Sequence, residues 1–145
     1  MSFTIDQLQL GQKEFFEQTY TESDVLSFAE ISGDNNPVHM SESAAQKTVF
    51  KHRVVHGALV SSAISALLGA KMPGEGTIYL GQETKFVAPV FIGDTVFVTC
   101  EVIEIIKRKN IAILSCILVN QHGKIVLEGK ATVMPPKIRL DKQTD

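Results

Sequence analysis

The sequence predicts a single α+β domain in which one long, nearly uncharged helix is wrapped by a curved antiparallel sheet. Helical signals are confined to the first half of the chain and β-branched and aromatic runs to the second, a segregation that argues against alternating βαβ units. Residues 54–70, VVHGALVSSAISALLGA, contain no Lys, Arg, Asp or Glu. Serines, glycines and His56 dilute this segment too far for a membrane span, which needs about 20 apolar residues. A helix with no charged face must instead be covered by protein, and a sheet curled around it would do so.

Taken in order, Lys13–Tyr20 forms a first extended segment. TESDVLSFAEISG then reads as a short helix: Thr21 is the N-cap, Asp24 stands three residues on as in a capping box, and Gly33 suits the residue after the last turn. Val25, Phe28, Ala29 and Ser32 share one of its faces. Asn36-Pro37 follows, and the residue before a proline is pushed out of the α region, so 34–40 is expected to be a fixed loop. A second short helix is expected from Ser41 to about Thr48, and the long apolar helix over 57–70, ended by Met72-Pro73-Gly74-Glu75-Gly76. From Thr77 on, four runs (77–87, 94–107, 110–120 and 124–134) read as an antiparallel meander, with His122-Gly123 as the last turn.

The chain has 145 residues, 44% of them hydrophobic, and a formal net charge of −2. One unit over 1–136 is expected, followed by a polar tail over 137–145. The largest basic cluster, Lys107-Arg108-Lys109, lies between two apolar runs and reads as a solvated hairpin end, so no nucleic-acid partner is expected. The first residues lack a basic and then apolar leader, and the first arginine is Arg53, so a cytoplasmic location with no membrane partner is expected. Cys100 and Cys116 sit inside apolar runs with no CxxC spacing or clustered histidine and read as reduced core thiols rather than metal ligands.

Chemistry concentrates in two places. Gly33-Asp34-Asn35-Asn36-Pro37-Val38-His39 puts a carboxylate and an imidazole five residues apart on a stiffened loop. Such a pair can converge on one water molecule as general base and acid, or Asp34 can simply cap the loop in an Asx turn with His39 exposed. At Val55-His56-Gly57 the apolar helix begins. The Gly57 N–H, unsatisfied within the helix and at the positive end of its dipole, can donate to a developing oxyanion, or the site can be a tight helix entry and nothing more. His56, flanked by apolar residues, reads as a partly buried histidine holding the loop. Ser61, Ser62 and Ser65 are expected to bond back to helix carbonyls. Neither a Gly-x-Ser-x-Gly elbow nor a phosphate-cradling glycine loop is present.

These motifs, together with Ile78-Tyr79-Leu80-Gly81-Gln82 and Pro89-Val90-Phe91-Ile92-Gly93-Asp94, resemble those of the (R)-specific enoyl-CoA hydratases of the MaoC-like group, over roughly residues 8–134. The resemblance implies the hot-dog fold, a homodimer with thioester sites at its interface, and hydration of trans-2-enoyl-CoA to (R)-3-hydroxyacyl-CoA, reversibly and with neither metal nor cofactor. It implies that Asp34 and His39 hold the catalytic water, that Gly57 supplies the oxyanion N–H, and that Ser65 is the helix serine near the dyad. Asn36 and His56 are candidates for substrate contact, and Leu67, Leu68 and Val133 for the lining of the acyl tunnel, for short to medium acyl groups. Alternatives of the same or another class are a 3-hydroxyacyl-acyl-carrier-protein dehydratase, a hot-dog thioesterase and a non-catalytic acyl-thioester-binding module.

Overall fold

The computed structural model describes residues 2–138; most of the expected polar tail, from residue 139 on, lies outside the described residues. Strand β1 (Lys13–Thr19) leads into helix α1 (Glu22–Ser32), two short helices α2 (Pro37–Met40) and α3 (Glu42–Ala45), and the long helix α4 (Gly57–Ala70). Strands β2 (Ile78–Phe86), β3 (Thr95–Ile106), β4 (Ile111–Asn120) and β5 (Ile125–Met134) follow. All five strands form one antiparallel sheet in the order β1-β3-β4-β5-β2.

Local signals act where the sequence puts them. Thr21 Oγ1 accepts from Asp24 N–H at 3.2 Å while Thr21 N–H donates to the Asp24 carboxylate at 2.9 Å, a complete capping box. Gly33 closes α1 at φ 79°, a left-handed conformation in which a β-carbon would be strained. Val25 and Ala29 of the expected face are buried, but Ser32 is exposed, its hydroxyl accepting from Asp34 N–H at 3.0 Å. The expected fixed loop over 34–40 is corrected in its second half. Pro37 is the first residue of a helical turn, where its missing N–H costs nothing, and Asn36 caps that turn by accepting from Val38 N–H at 3.2 Å. The helix expected over 41–48 is shorter, ending at Ala45 and followed by a turn.

The four-strand meander is also corrected. β3, β4 and β5 are consecutive neighbours, but β2 pairs with β5 on the far side, so residues 87–94 carry the chain across to β3 rather than forming a hairpin. On the way Val55 N–H bonds to Val90 O at 2.7 Å and Val54 bridges Phe91, fixing the entry to α4 against this connection. Register shifts at Tyr79/Gly81, Val102/Glu104 and Leu118/Val119 bend three of the strands.

Alternate residues of β3 and β4, from Val96 to Val102 and Ala112 to Leu118, form the inner face of the core with Val60, Ile64, Leu67 and Leu68 of α4. The sheet covers one side of α4 only. Ala58, Ser62, Ser65 and Gly69 lie on an exposed flank, where the Ser61 and Ser62 hydroxyls donate back to the carbonyls of Ala58 and Leu59. Cys100 and Cys116 are free, buried and directly opposite one another on β3 and β4, with sulfurs 3.4 Å apart. The hydrogen bond that Cys100 donates to Cys116, together with burial, holds its thiol far above the ordinary range. No helix among the described residues is long and apolar enough to cross a membrane.

Candidate active site

The head of α4 and the loop after α1 meet around three side chains. Asp34, His39 and His56 each present one ligand atom within 4.8 Å of the others. The His39 ring stacks on His56, centroids 4.0 Å apart and planes 29° apart, and His56 in turn lies against Phe28 of α1 at 4.8 Å.

The hydrogen bonds decide the tautomers. His39 Nδ1 lies 2.7 Å from the Val54 carbonyl, which can only accept, so Nδ1 carries the proton and a neutral ring keeps its lone pair on Nε2. By the same reasoning His56 Nε2–H donates to the Asp34 carbonyl at 3.0 Å, leaving Nδ1 buried with no hydrogen-bond partner among the described residues. Asp34 is exposed. One of its oxygens, Oδ1, accepts from Asn36 N–H at 3.1 Å in an Asx turn, and the other accepts no such bond among the described residues. Two nearly parallel rings cannot both aim in-plane lone pairs at one ion, so the trio fits a metal poorly. A water molecule, which tolerates looser angles, can be held by Asp34 and by His39 Nε2.

His39 opens onto an apolar cleft of about 610 Å³, of a size that suits a small-molecule ligand. Its walls include Phe50, Val54, Phe86, Val87, Val90 and Val126, and Gly57 lies on its surface. The Gly57 N–H is one of the donors that a helix start leaves without an intrahelical acceptor, at the positive end of the α4 dipole. A β-carbon on Gly57 would meet the Phe86 ring at 2.8 Å, so only glycine leaves this backbone open beside the aromatic wall.

Of the residues singled out in the sequence, Asp34, His39 and His56 form one cluster, and Asn36, His39 and Gly57 border the cleft. Five residues are placed differently. His56 is 1% exposed and does not border the cleft; it lies behind the dyad and touches both of its members. Leu67, Leu68 and Val133 are packed into the core and do not line the cleft, because that side of α4 turns to the sheet and β5 is an interior strand. Ser65 stands eight residues along α4 from Gly57, roughly 12 Å at the helical rise. It borders a separate groove with Tyr79 and Gln82, so a single chain does not bring it to the dyad. The walls Phe50, Phe86 and Val87 are not among the residues the sequence singles out. The run Phe86-Val87-Ala88-Pro89-Val90 carries a signal: it is apolar without alternation and interrupted by proline, hence not an ordinary strand.

One long helix held against a curved antiparallel sheet, with a carboxylate and an imidazole at the helix head beside an apolar cleft, defines a hot-dog-fold protein with an acid–base site. The family described as MaoC like domain matches residues 7–116, and the chain belongs to this family. It is 44% identical over 133 residues to an (R)-specific enoyl-CoA hydratase of Rhodospirillum rubrum, covering 90% of each chain. It is 42% identical over 132 residues to a 3-hydroxybutyryl-CoA dehydratase of Methylorubrum extorquens, covering 91% of this chain and 83% of that one. Among solved structures, an unliganded (R)-hydratase of Pseudomonas aeruginosa superposes with a TM-score of 0.88 at 38% identity, over 99% of this chain and 95% of that one.

Proposed function

We propose that this chain catalyses the reversible, (R)-specific hydration of trans-2-enoyl-CoA to (R)-3-hydroxyacyl-CoA. The observation that carries this reading is the meeting of Asp34 with a tautomer-fixed His39 that borders, together with Gly57, one apolar cleft, in a chain 44% identical to an enzyme of that name. The enoyl thioester lies in the cleft with its carbonyl oxygen on the Gly57 N–H. Water is held between Asp34 and His39 Nε2. As its oxygen bonds to C3, Asp34 takes one of its protons, and the C2–C3 π electrons move toward the thioester oxygen, where the Gly57 N–H stabilises the enolate charge. The proton then returns to C2. Dehydration is the same path reversed.

We also place a second copy of the chain against β2 and the exposed flank of α4, with the thioester sites at that interface and Ser65 within it. β2 is an edge strand of nine residues on which Ile78 and Leu80 are 54% and 47% exposed, and such an edge invites a partner. A second reading, a dehydratase acting on acyl carrier protein, has the support of a tomato mitochondrial 3-hydroxyacyl-[acyl-carrier-protein] dehydratase 33% identical over 126 residues.

The test is loss of enoyl conjugation absorbance with crotonyl- and octenoyl-CoA, with product configuration read by a stereospecific 3-hydroxyacyl-CoA dehydrogenase. Rapid loss to the (R) product is expected, and Asp34→Asn is expected to abolish it while circular dichroism stays unchanged. A folded, active Asp34→Asn protein would remove Asp34 from the mechanism. Inactivity on both CoA substrates, with turnover of a carrier-protein substrate, would favour the second reading.

A further inference from the structure

Arg53 does not border the cleft, yet its guanidinium reaches the residue on which the proposed chemistry turns. We propose that Arg53 is a positioning residue for His39: it fixes the peptide of that residue while its chain neighbour, Val54, fixes the ring. The inference rests on the hydratase reading of this site.

His39 sits in α2, a helix of four residues. One turn of helix does not sustain itself, because nucleation costs more than its few hydrogen bonds return, and its last carbonyls lack intrahelical partners. Arg53 Nε donates to one of these, the His39 carbonyl, at 2.7 Å, and a cation at a helix C-terminus is favoured by the dipole as well. The next residue completes the grip. Val54 N–H donates to Val38 O at 3.2 Å, and Val54 O accepts from His39 Nδ1–H at 2.7 Å. Two consecutive residues thus hold His39 by backbone and by side chain, which sets where the Nε2 lone pair lies.

The rest of the guanidinium anchors this grip to the body of the protein. Nη1 donates to Glu22, the first residue of α1, at 2.6 Å. The Arg53 side chain is 14% exposed, against 53% for Glu22, and Nη2 is buried with no hydrogen-bond partner among the described residues. Withdrawing a guanidinium from water with one nitrogen unpaired is unfavourable, and an apolar residue would stabilise such a position at least as well. Positioning explains what stability does not: a planar fork reaches the His39 peptide and α1 at once, as a lysine could not.

The test compares Arg53→Ala and Arg53→Lys with the wild-type chain on crotonyl-CoA. Arg53→Ala is expected to lower kcat roughly 10- to 100-fold, as a misplaced catalytic group does, with KM within about 3-fold of wild type. Added N-ethylguanidinium restores part of kcat, and N-ethylammonium at equal concentration does not. Arg53→Lys, whose single ammonium reaches one partner, falls between. An activity-independent readout is the His39 Nδ1–H proton resonance, protected in the wild type by Val54 O; it is lost in Arg53→Ala and returns with N-ethylguanidinium. A folded Arg53→Ala protein with wild-type kcat and an intact resonance overturns the proposal. So does a loss of kcat that neither the guanidinium nor lysine relieves, because that marks a merely structural role. If the wild type fails to hydrate crotonyl-CoA the hydratase reading falls, and the resonance alone decides whether Arg53 positions His39. Should Arg53→Ala fail to fold, the resonance and kcat of Arg53→Lys carry the decision.

Discussion

Asp34 and His39 each commit one polar atom to holding the loop and leave another on the side where the two side chains face each other. Oδ1 of Asp34 holds the Asx turn and Nδ1 of His39 holds Val54, so each keeps one atom for a water molecule. The two readings of Asp34 open in the sequence are therefore not exclusive, since one carboxylate has room for both. Gly57 is defined in the opposite way, by what it lacks. With the Phe86 ring 2.8 Å from where a β-carbon would stand, Gly57→Ala must displace either the ring or the helix start. We expect Gly57→Ala to lower kcat/KM for crotonyl-CoA on the order of 10- to 100-fold, a loss typical of a disturbed oxyanion donor. Adding Phe86→Ala is expected to recover part of it. Wild-type kinetics in the single variant would show that the Gly57 backbone is not a donor to the substrate.

At the scale of elements, α1 owes its ends to short-range chemistry and its place to the site. Phe28 on its inner side lies against His56, and Glu22 at its start holds Arg53. Removing the cap through Thr21→Ala is expected to cost about 1 kcal/mol in urea unfolding, with kcat nearly unchanged because the Phe28 and Glu22 contacts persist. A stability equal to wild type would mean that tertiary packing, not the capping box, fixes the start of α1. Such ends were legible because every group involved lies within a few residues: Thr21 with Asp24, Gly33 after Ser32, the uncharged run that became α4. The proline at position 37 misled because it marks a helix start as well as a helix stop, and Asn36 before it is an N-cap. The place of β2 beside β5 could not be read, since it is fixed by pairings some 50 residues apart in the chain, Ile78 with Met134 through Phe86 with Leu127. In the site, Asp34, His39 and Gly57 were legible as two contiguous motifs. Phe86 and the grip of Arg53 were not, because folding alone brings them to the helix head. Leu67 and Leu68 meet the sheet rather than the cleft; both are apolar on an apolar helix, and sequence alone does not say which side meets the sheet.

For the whole molecule, two surfaces set stability and assembly. Tyr20 is buried beneath α4 with its hydroxyl donating to Val60 O at 3.3 Å; burial, and then the charge of Asp24, push its pKa from 10 up to about 12. Tyr79 is raised to about 12 as well, chiefly by burial. Both groups are neutral in either state below pH 10, so their contribution is complete there. Above pH 10 the unfolded chain ionises first, and this contribution is lost as pH rises through about 12. Urea midpoints are therefore expected to fall between pH 10 and 12, and to fall less steeply in Tyr20→Phe; equal slopes would mean that Tyr20 ionises as easily in the fold as in water. The other surface bears on the assembly proposed above. The flank of α4 away from the sheet is built of Ala58, Ser62, Ser65 and Gly69, small enough for another helix or strand to approach closely, and the β2 edge beside it exposes Ile78 and Leu80. A lone chain would leave this edge unpaired and its apolar side chains in water, conditions under which strands seek partners. Light scattering after gel filtration is expected to give about twice the 15.9 kDa of one chain. Leu80→Asp, which sets charge against charge across a two-fold contact at β2, is expected to shift that mass toward one chain and to lower crotonyl-CoA hydration with it. A monomeric wild type with full activity would separate the site from any interface, and the groove of Ser65, Tyr79 and Gln82 would then have no part in the reaction.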